Sequence, residues 1–259
     1  MQRMVLITVV LGLLLWQWPA LAVTLHASEN TFSIGADIDA QGRITALQPG
    51  AEIKAPVVAV LNEAAKSWRF VPVQRDGKAV PVHSFIRARL EVAPTTDGKY
   101  TIRVSCSGAG PLVKPPRKEI SPDYPTDILG SLEAAGVLFA VHLDLAPDGK
   151  VVVTDIKTYA QGQSFRHKAM LADALKRWYE RSSAVPETVD GQAVAATIAR
   201  QIHVQLVAVD SAAAGHDPND HLDAAQKAFL RESGIPLTDA TFSGSVLKPA
   251  VLPTVVLQP

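Results

Sequence analysis

The chain of 259 residues contains a single cysteine, Cys106, so no disulfide can form within it. Lysine and arginine together number 25, as do aspartate and glutamate, so no net charge attracts the chain to nucleic acid or to an anionic membrane. Because Cys106 follows a run typical of a strand, we expect a buried and unreactive thiol; a reactive or intermolecular thiol is the alternative. The composition therefore argues against a nucleic-acid partner and leaves stability to the hydrophobic cores.

The sequence also lacks the short motifs of common enzyme classes. It has no Gly-x-Ser-x-Gly elbow, no His-Glu-x-x-His pair and no phosphate-binding glycine loop. Its densest group of metal-ligand residues is His216–His221, whose position before a helical pattern favours a solvated capping loop. We therefore predict a protein that is not an enzyme, with no catalytic residues, no metal site and no cofactor. The alternative is an enzyme or metal protein whose site forms only when distant residues meet in the fold.

One apolar run is long, and it lies at the amino terminus. A basic residue precedes the apolar segment Val5–Leu15, and Ala20–Ala22 has the small-x-small pattern of a signal-peptidase site. The run is about half as long as the roughly 20 residues that span a bilayer. We therefore predict that residues 1–22 are a signal peptide, cleaved after Ala22, and that the mature protein is exported. The alternative is an uncleaved anchor from Val5 to Val23.

The residues after this segment follow the order strand, strand, helix, strand. Apolar and polar residues alternate over Phe32–Ile38, and the turn Asp39–Gly42 leads to a second strand over Arg43–Leu47. An apolar stripe with helical spacing then runs from Val57 to Trp68. The last strand, Ser84–Val92, again has one apolar face.

The same order of elements recurs in the second half. A hairpin is predicted from Gly136–Leu145 and Val151–Tyr159, with its turn at Asp148-Gly149. A helix follows from about Ser164 to Arg177, and a last strand alternates over Ile198–Leu206. Two features keep their spacing in both halves, a leucine before the tryptophan at the helix exit and an Asp-Gly-x-Ala-Val turn. They are Leu61 and Trp68 with Asp76–Val80, and Leu171 and Trp178 with Asp190–Val194. We therefore predict an internal duplication, with both tryptophans in the cores.

The chain accordingly divides into five predicted segments. They are a signal peptide (1–22), a diverged unit with an extra strand (23–106), a linker (107–120), a second unit (121–209), and a short helix with an irregular tail (210–259). The extra strand is Tyr100–Ser105, and glycine and proline make Gly108–Pro116 an exposed, extended linker. The short helix is Leu222–Glu232, capped by Asn219 or Asp220, and the prolines after it argue against regular structure.

Several motifs of the second half occur together in a known family. They are Pro122-Asp123-Tyr124-Pro125, Gly130, Gly136, the strand to Asp144, Asp148-Gly149, the helix ending at Trp178, Asp190-Gly191 and the strand to Val207. In this order, over about Ser121–Val209, they resemble the TonB carboxy-terminal domain family. The first half, Thr31–Val92, resembles the same unit more weakly. It has Asp39 and Gly42, Trp68–Pro72 and Asp76-Gly77, but it has no Tyr-Pro motif.

The resemblance implies an α+β fold of two tandem units, each a small antiparallel sheet of three strands with a helix packed on one face. Family members that transduce energy have an uncleaved inner-membrane helix and a long proline-rich spacer across the periplasm. Their terminal domain binds a peptide of an outer-membrane transporter by adding a strand to a sheet edge. Because Gly108–Pro116 is too short for such a spacer, the resemblance implies a periplasmic binding module. A membrane-anchored energy transducer with an uncleaved amino-terminal segment is the alternative.

The expected partner site is a sheet edge, where unpaired main-chain groups can bind an extended peptide. We place it on the last strand, with three polar side chains outward and the Tyr-Pro motif beside it. The candidate residues are Pro122, Tyr124, Pro125, Gln201, His203 and Gln205. The expected partner is a protein or peptide, such as an outer-membrane transporter, and neither nucleic acid nor a small-molecule cofactor. The alternative is that these positions only face solvent and that Tyr124 anchors the linker. The duplication further suggests a monomer in which the units pack as an internal pseudo-dimer.

Overall fold

A computed structural model describes residues 28–95, 99–116, 122–124, 137–160, 165–204, 222–235, 237 and 242–257. Within these residues the protein is a mixed α+β structure of mostly antiparallel sheets with three helices. The helices are α1 (Ala55–Ala65), α2 (Phe165–Arg181) and α3 (Ala224–Glu232). The strands are β1 (Ser28–Ile38), β2 (Ile44–Gln48), β3 (Arg69–Phe70), β4 (Gln74–Arg75), β5 (Lys78–Ala79), β6 (Val82–Pro94), β7 (Tyr100–Gly110), β8 (Leu112–Lys114), β9 (Val137–Leu145), β10 (Val151–Tyr159), β11 (Ser183–Val185), β12 (Thr188–Val189), β13 (Gln192–Ala193), β14 (Ala196–Val204), β15 (Pro249–Val251) and β16 (Val255–Leu257).

Some sequence predictions fall outside these residues. They are the signal peptide over residues 1–22, the metal-ligand segment His216–His221, the site residues Pro125 and Gln205, the motif glycines Gly130 and Gly136, and the proposed caps Ser164, Asn219 and Asp220. Among the described residues, none of the helices combines the length and the apolar character that a membrane crossing requires.

The first sheet is built around β6, which pairs with β1 along its length on one side. On its other side β6 pairs with β7 and, at its start, with β12; the outermost strands are β2, β13 and β16. The alternation in β1 and β6 puts one face of each strand against α1, as predicted, with Ile34, Ile86 and Leu61 buried there. Trp68, at the exit of α1, is buried in this core as predicted.

The second sheet has the order β10-β9-β14 and is covered on both faces. Phe139 and Leu143 of β9 pack with α2, while Leu138 and Ala140 pack with α3 on the other face. This second cover explains why nearly all of β9 is buried, whereas the period of two in the sequence predicted one apolar face. Trp178 at the end of α2 is half-buried and contacts Tyr179 edge-on, with ring centroids 5.1 Å apart.

Each hairpin turn lies against the segment that follows the next helix. In the first sheet the Phe70 N–H donates to the Gly42 carbonyl at 2.9 Å. In the second sheet the Ala184 N–H donates to the Gly149 carbonyl at 2.8 Å. Both glycines have positive φ, 77° for Gly42 and 86° for Gly149, a region that glycine enters without steric cost. Each contact fixes the exit of a helix on the turn of the hairpin that precedes it.

The predicted linker is wrong for residues 107–114. The extra strand β7 continues to Gly110 because β6 offers it an unpaired edge, and Gly108, Ala109 and Gly110 are buried. The chain then forms β8, which pairs with β11 of the second half. The prediction of extended backbone here is confirmed, but the prediction that it is exposed is wrong for residues 108–110. Their small side chains let the strand lie close against its neighbours.

The irregular tail is also wrong for two segments, because β15 pairs with β3 and β16 pairs with β7. The short helix was predicted correctly but its cap was not. Asp223 caps α3 by accepting the N–H of Gln226 at 2.8 Å, and the Gln226 side chain accepts the N–H of Asp223 at 2.9 Å. This reciprocal pair is a capping box, which satisfies two main-chain donors at the helix start.

Candidate functional site

The predicted binding strand, β14, lies on the outside of the second sheet and pairs with β9. On its outer side the Ala199 N–H donates to the Ser243 hydroxyl at 3.4 Å. Because main-chain groups alternate in direction along a strand, Thr197, Gln201 and His203 direct theirs to the same outer side. Gly244 lies so close to Thr197 that a Cβ at this glycine would be 2.4 Å from the Thr197 carbonyl oxygen. The tail therefore covers the first half of this edge.

Gln201 and His203 are half-buried rather than fully outward. They share a face with Ala199, which packs beside Leu138 and Leu230 under α3. Ser243 and Gly244 contact this strand at Ala199 and Thr197. The side chains predicted to select a partner thus lie on the α3 side of the edge.

Tyr124 lies on the other face of the sheet, where it packs against the core under α2. Its hydroxyl is buried and has no hydrogen-bond partner among the described residues. Burial, and to a smaller degree the neighbouring Tyr179, raises the pKa of the Tyr124 hydroxyl. Pro122, two residues before Tyr124, is half-buried. The structure therefore separates Tyr124 from Gln201 and His203 and places it as an anchor on the second core.

Two arginines lie near each other where the two sheets meet. Arg200 of β14 hydrogen-bonds the hydroxyl of Tyr179, whose pKa is raised mainly by burial. Arg87 of β6 donates to the Ala109 carbonyl at 3.0 Å. Burial and, next, the positive charge of Arg200 lower the pKa of Arg87 to about 10, while Cys106 and Glu187 favour its charged form. This region therefore concentrates positive charge close to a buried carboxylate.

That carboxylate belongs to Glu187, which is only 1% exposed. Its Oε1 accepts the hydroxyls of Ser84, at 2.5 Å, and of Ser245, at 2.7 Å. Its Oε2 accepts the N–H of Val246 at 2.9 Å. A buried carboxylate needs such donors to offset the loss of water, and these donors come from the first sheet and from the tail. Glu187 therefore joins the segment after α2 to β6 and to the tail.

Sequence reasoning did not find Glu187, Ser243 or Ser245. A single glutamate between short strands, or a serine after a helix, has no spacing that distinguishes it from a solvent-facing residue. One signal was present, since the tail carries apolar residues between its prolines, and Leu247, Leu252 and Val255 among them pack against the first core. As for metals, the described part of the chain contains no group of three or more His, Cys, Asp or Glu residues placed to hold an ion.

The buried thiol of Cys106 gives a prediction on reactivity. Cys106 is buried as expected, and its thiol donates to the Gly108 carbonyl at 3.6 Å. Burial raises the pKa of this thiol from 9.0 to about 11. Because only the thiolate reacts, we expect the native protein to react with a disulfide reagent at pH 8 about 100-fold more slowly than the urea-unfolded chain. Equal rates in the two states would contradict a buried thiol.

The same shift affects stability at high pH. The unfolded thiol ionises near pH 9 while the folded thiol keeps its proton to about pH 11. Its contribution to the free energy of unfolding is therefore complete below pH 9 and is lost as the pH rises through 11, by roughly 2 to 3 kcal/mol. The comparison of wild type with Cys106→Ala by urea titration, between pH 8 and 11, isolates this contribution from the titration of other groups.

Together the fold and the edge strand define an α+β protein in which short extended segments pair with strands far away in the chain, β8 with β11, β15 with β3, and β16 with β7 at the edge of the first sheet. In comparisons with family models, curated proteins and solved structures, the chain has no significant match. The likeness to the TonB carboxy-terminal domain family therefore rests on the motifs of the sequence.

Proposed function

We propose that this protein is a non-enzymatic periplasmic module that binds an extended peptide of a partner protein by strand addition to β14. One observation carries the proposal. The Ser243 hydroxyl oxygen of the tail accepts the N–H of Ala199 on the outer side of β14, so main-chain groups of this edge are able to bind an added polypeptide. The partner would continue along the edge towards Gln201 and His203, and the TonB resemblance points to an outer-membrane transporter as its source.

We also propose that the two halves are tandem copies of one unit. The strand orders β2-β1-β6 and β10-β9-β14 support this, since in each the hairpin is followed by a helix and by a strand on the far side of the first strand. The turns at Asp76 and Asp190 add support, because both aspartates have positive φ, 51° and 53°. The pairing of β12 with β6 is the contact through which the two copies would form an internal pseudo-dimer.

Photo-crosslinking in the cell envelope tests the binding edge. A benzoylphenylalanine in place of Gln201 should crosslink to an outer-membrane transporter, because position 201 belongs to the strand with which the peptide would pair. The matched control replaces Lys157, which is exposed on β10 at the opposite side of the same sheet. We expect several times more crosslinked transporter from position 201 than from position 157, measured by mass spectrometry of the adducts. Equal yields from both positions would overturn binding at β14.

The alternative function is a membrane-anchored transducer of the TonB type. It has support from the same motifs, and it differs in requiring that the segment Val5–Val23 remain attached. The mass of the mature amino terminus separates the two functions. A chain that begins at Val23 fits the exported module, whereas a chain that retains the apolar segment fits the transducer.

A further inference from the structure

The tail segment 242–257 runs from the second sheet to the first, and its two parts differ in how they are held. Its first part includes Ser245 and Val246, bound to the Glu187 carboxylate, and ends at Leu247, which is 1% exposed. Its second part, residues 248–257, lies on the surface of the first sheet with mostly exposed or half-buried side chains. The first part is therefore an anchor, and the second part is a peptide laid on the protein.

The second part is held mainly through its main chain. The Val71 N–H donates to the Lys248 carbonyl at 2.9 Å, and the Trp68 indole N–H donates to the Pro253 carbonyl at 3.2 Å. Between and beyond these bonds, β15 pairs with β3, and β16 pairs with Ile102–Val104 of β7. Such contacts recognise an extended backbone with little regard to its sequence.

Two side chains supply selectivity within this segment. Leu252 and Val255 pack against the first core, while Val251 and Val256 face solvent and are 58% and 54% exposed. The prolines at 249 and 253 favour an extended backbone and add no N–H that would need an acceptor. The surface therefore fits an extended, mostly apolar segment that is interrupted by prolines.

We propose that this surface, formed by β3, the Trp68 indole and the outer edge of β7, is a second peptide-binding site, here named the tail site. Its occupant in trans is an extended, mostly apolar, proline-interrupted segment of a partner protein. Residues 248–257 occupy it in cis as an internal competitor. The tail site lies on the first half of the protein, so this proposal does not depend on peptide binding at β14.

Release of the competitor requires little of the fold to open. Each of β15 and β16 contains three residues, and the deep anchor at Leu247 precedes both, so this end can detach while the first part stays bound. A tethered segment competes at a high effective concentration, on the order of millimolar, so a free peptide binds weakly until the tail is released. A variant with a weakened tail should therefore reveal the site.

Neighbouring residues of β16 provide a matched pair of variants. Val255→Asp puts a carboxylate against the first core and should detach β16, whereas Val256→Asp changes the adjacent side chain on the solvent side. The probe is a fluorescein-labelled peptide with the sequence of Leu247–Leu257. We expect Val255→Asp to bind it about tenfold more tightly, or better, than wild type or Val256→Asp, measured by fluorescence anisotropy. The same peptide with aspartate at its two packing positions, 252 and 255, should not bind.

Near-ultraviolet circular dichroism checks that Val255→Asp remains folded, and a folded Val255→Asp with no gain in affinity overturns the proposal. A covalent lock gives a second test that does not depend on that variant. Arg103 and Val256 are opposite each other in register, so Arg103→Cys with Val256→Cys should form a disulfide that holds β16 in place. The locked chain should lose peptide binding and recover it on reduction; equal binding in both states overturns the proposal.

The tail site could also bind the tail of a second copy of this chain. Sedimentation of the wild-type chain tests this occupant. A monomer at all concentrations agrees with a foreign peptide as the ligand. A dimer that the free peptide dissolves would assign the tail site to a second copy and would overturn the partner proposed here.

Discussion

Replacing Gly42 by alanine should lower the free energy of unfolding by about 4 kcal/mol. Gly42 has a φ of 77°, where an alanine costs about 1 to 2 kcal/mol. Its added Cβ would also lie 2.0 Å from the Phe70 carbonyl oxygen, which is main chain and cannot rotate away. The hairpin turn and the exit of α1 would have to separate, and the bond from the Phe70 N–H to the Gly42 carbonyl would weaken.

Gly77→Ala is the matched control, because Gly77 has a φ of 76° but a Cβ there meets nothing within 4 Å. It should cost about 1 kcal/mol, the backbone strain alone. Urea unfolding of both variants separates the clash from the strain. If the two variants differ by less than about 0.5 kcal/mol, the contact of the turn with Phe70 does not support the fold.

The second half offers the same comparison. A Cβ at Gly149 would lie 2.5 Å from the Ala184 carbonyl oxygen, whereas one at Gly191 meets nothing within 4 Å. If the two halves are copies, Gly149→Ala and Gly191→Ala should differ by about as much as the first pair does. A large difference in one half only would favour two unrelated units that share a strand order.

The sequence was sufficient for the features that local pattern controls. Alternation located β1, β6 and β9, and the spacing of apolar residues located α1 and α2, because a period of two or 3.6 reports which face is buried. The prediction of α3 rested instead on polar residues suited to cap its start. The turns at Gly42 and Gly149 followed from glycine and aspartate, since few other residues accept positive φ.

Contacts between segments far apart in the chain were not predictable in this way. The pairing of β16 with β7 depends on which edge is left open after the first sheet has formed, and the pairing of β8 with β11 depends on two segments about 70 residues apart meeting in a separate two-stranded sheet. Gly108 and Pro249 suggest loops when only their neighbours are considered, yet Gly108 lies in β7 and Pro249 begins β15. For the candidate site, Gln201 and His203 were placed on the correct outer strand, but the approach of Ser243 to Ala199 depends on a turn in the tail that local pattern does not specify.

Glu187→Ala should have the second large effect, a loss of about 3 kcal/mol in the free energy of unfolding. The substitution leaves the hydroxyls of Ser84 and Ser245 and the N–H of Val246 without their acceptor in a region where Glu187 itself is 1% exposed. Glu187→Gln should cost less, about 1 kcal/mol, because the amide keeps the volume and one acceptor oxygen while the serine hydroxyls can rotate to accept its N–H groups.

The position of Glu187 also predicts which part of the chain loses protection from hydrogen exchange. Two of its three donors belong to the tail, so hydrogen exchange at Ser245–Leu247 should accelerate more in Glu187→Ala than exchange within β9, which makes no contact with this carboxylate. Glu63→Ala is the control, since that side chain is 55% exposed on α1 and its loss should change stability by no more than about 0.5 kcal/mol. If Glu187→Ala is as stable as this control, or if exchange rises uniformly over the chain, the carboxylate does not hold the tail. Faster exchange confined to the tail would instead show that one buried carboxylate fixes the anchor from which residues 248–257 reach the first sheet.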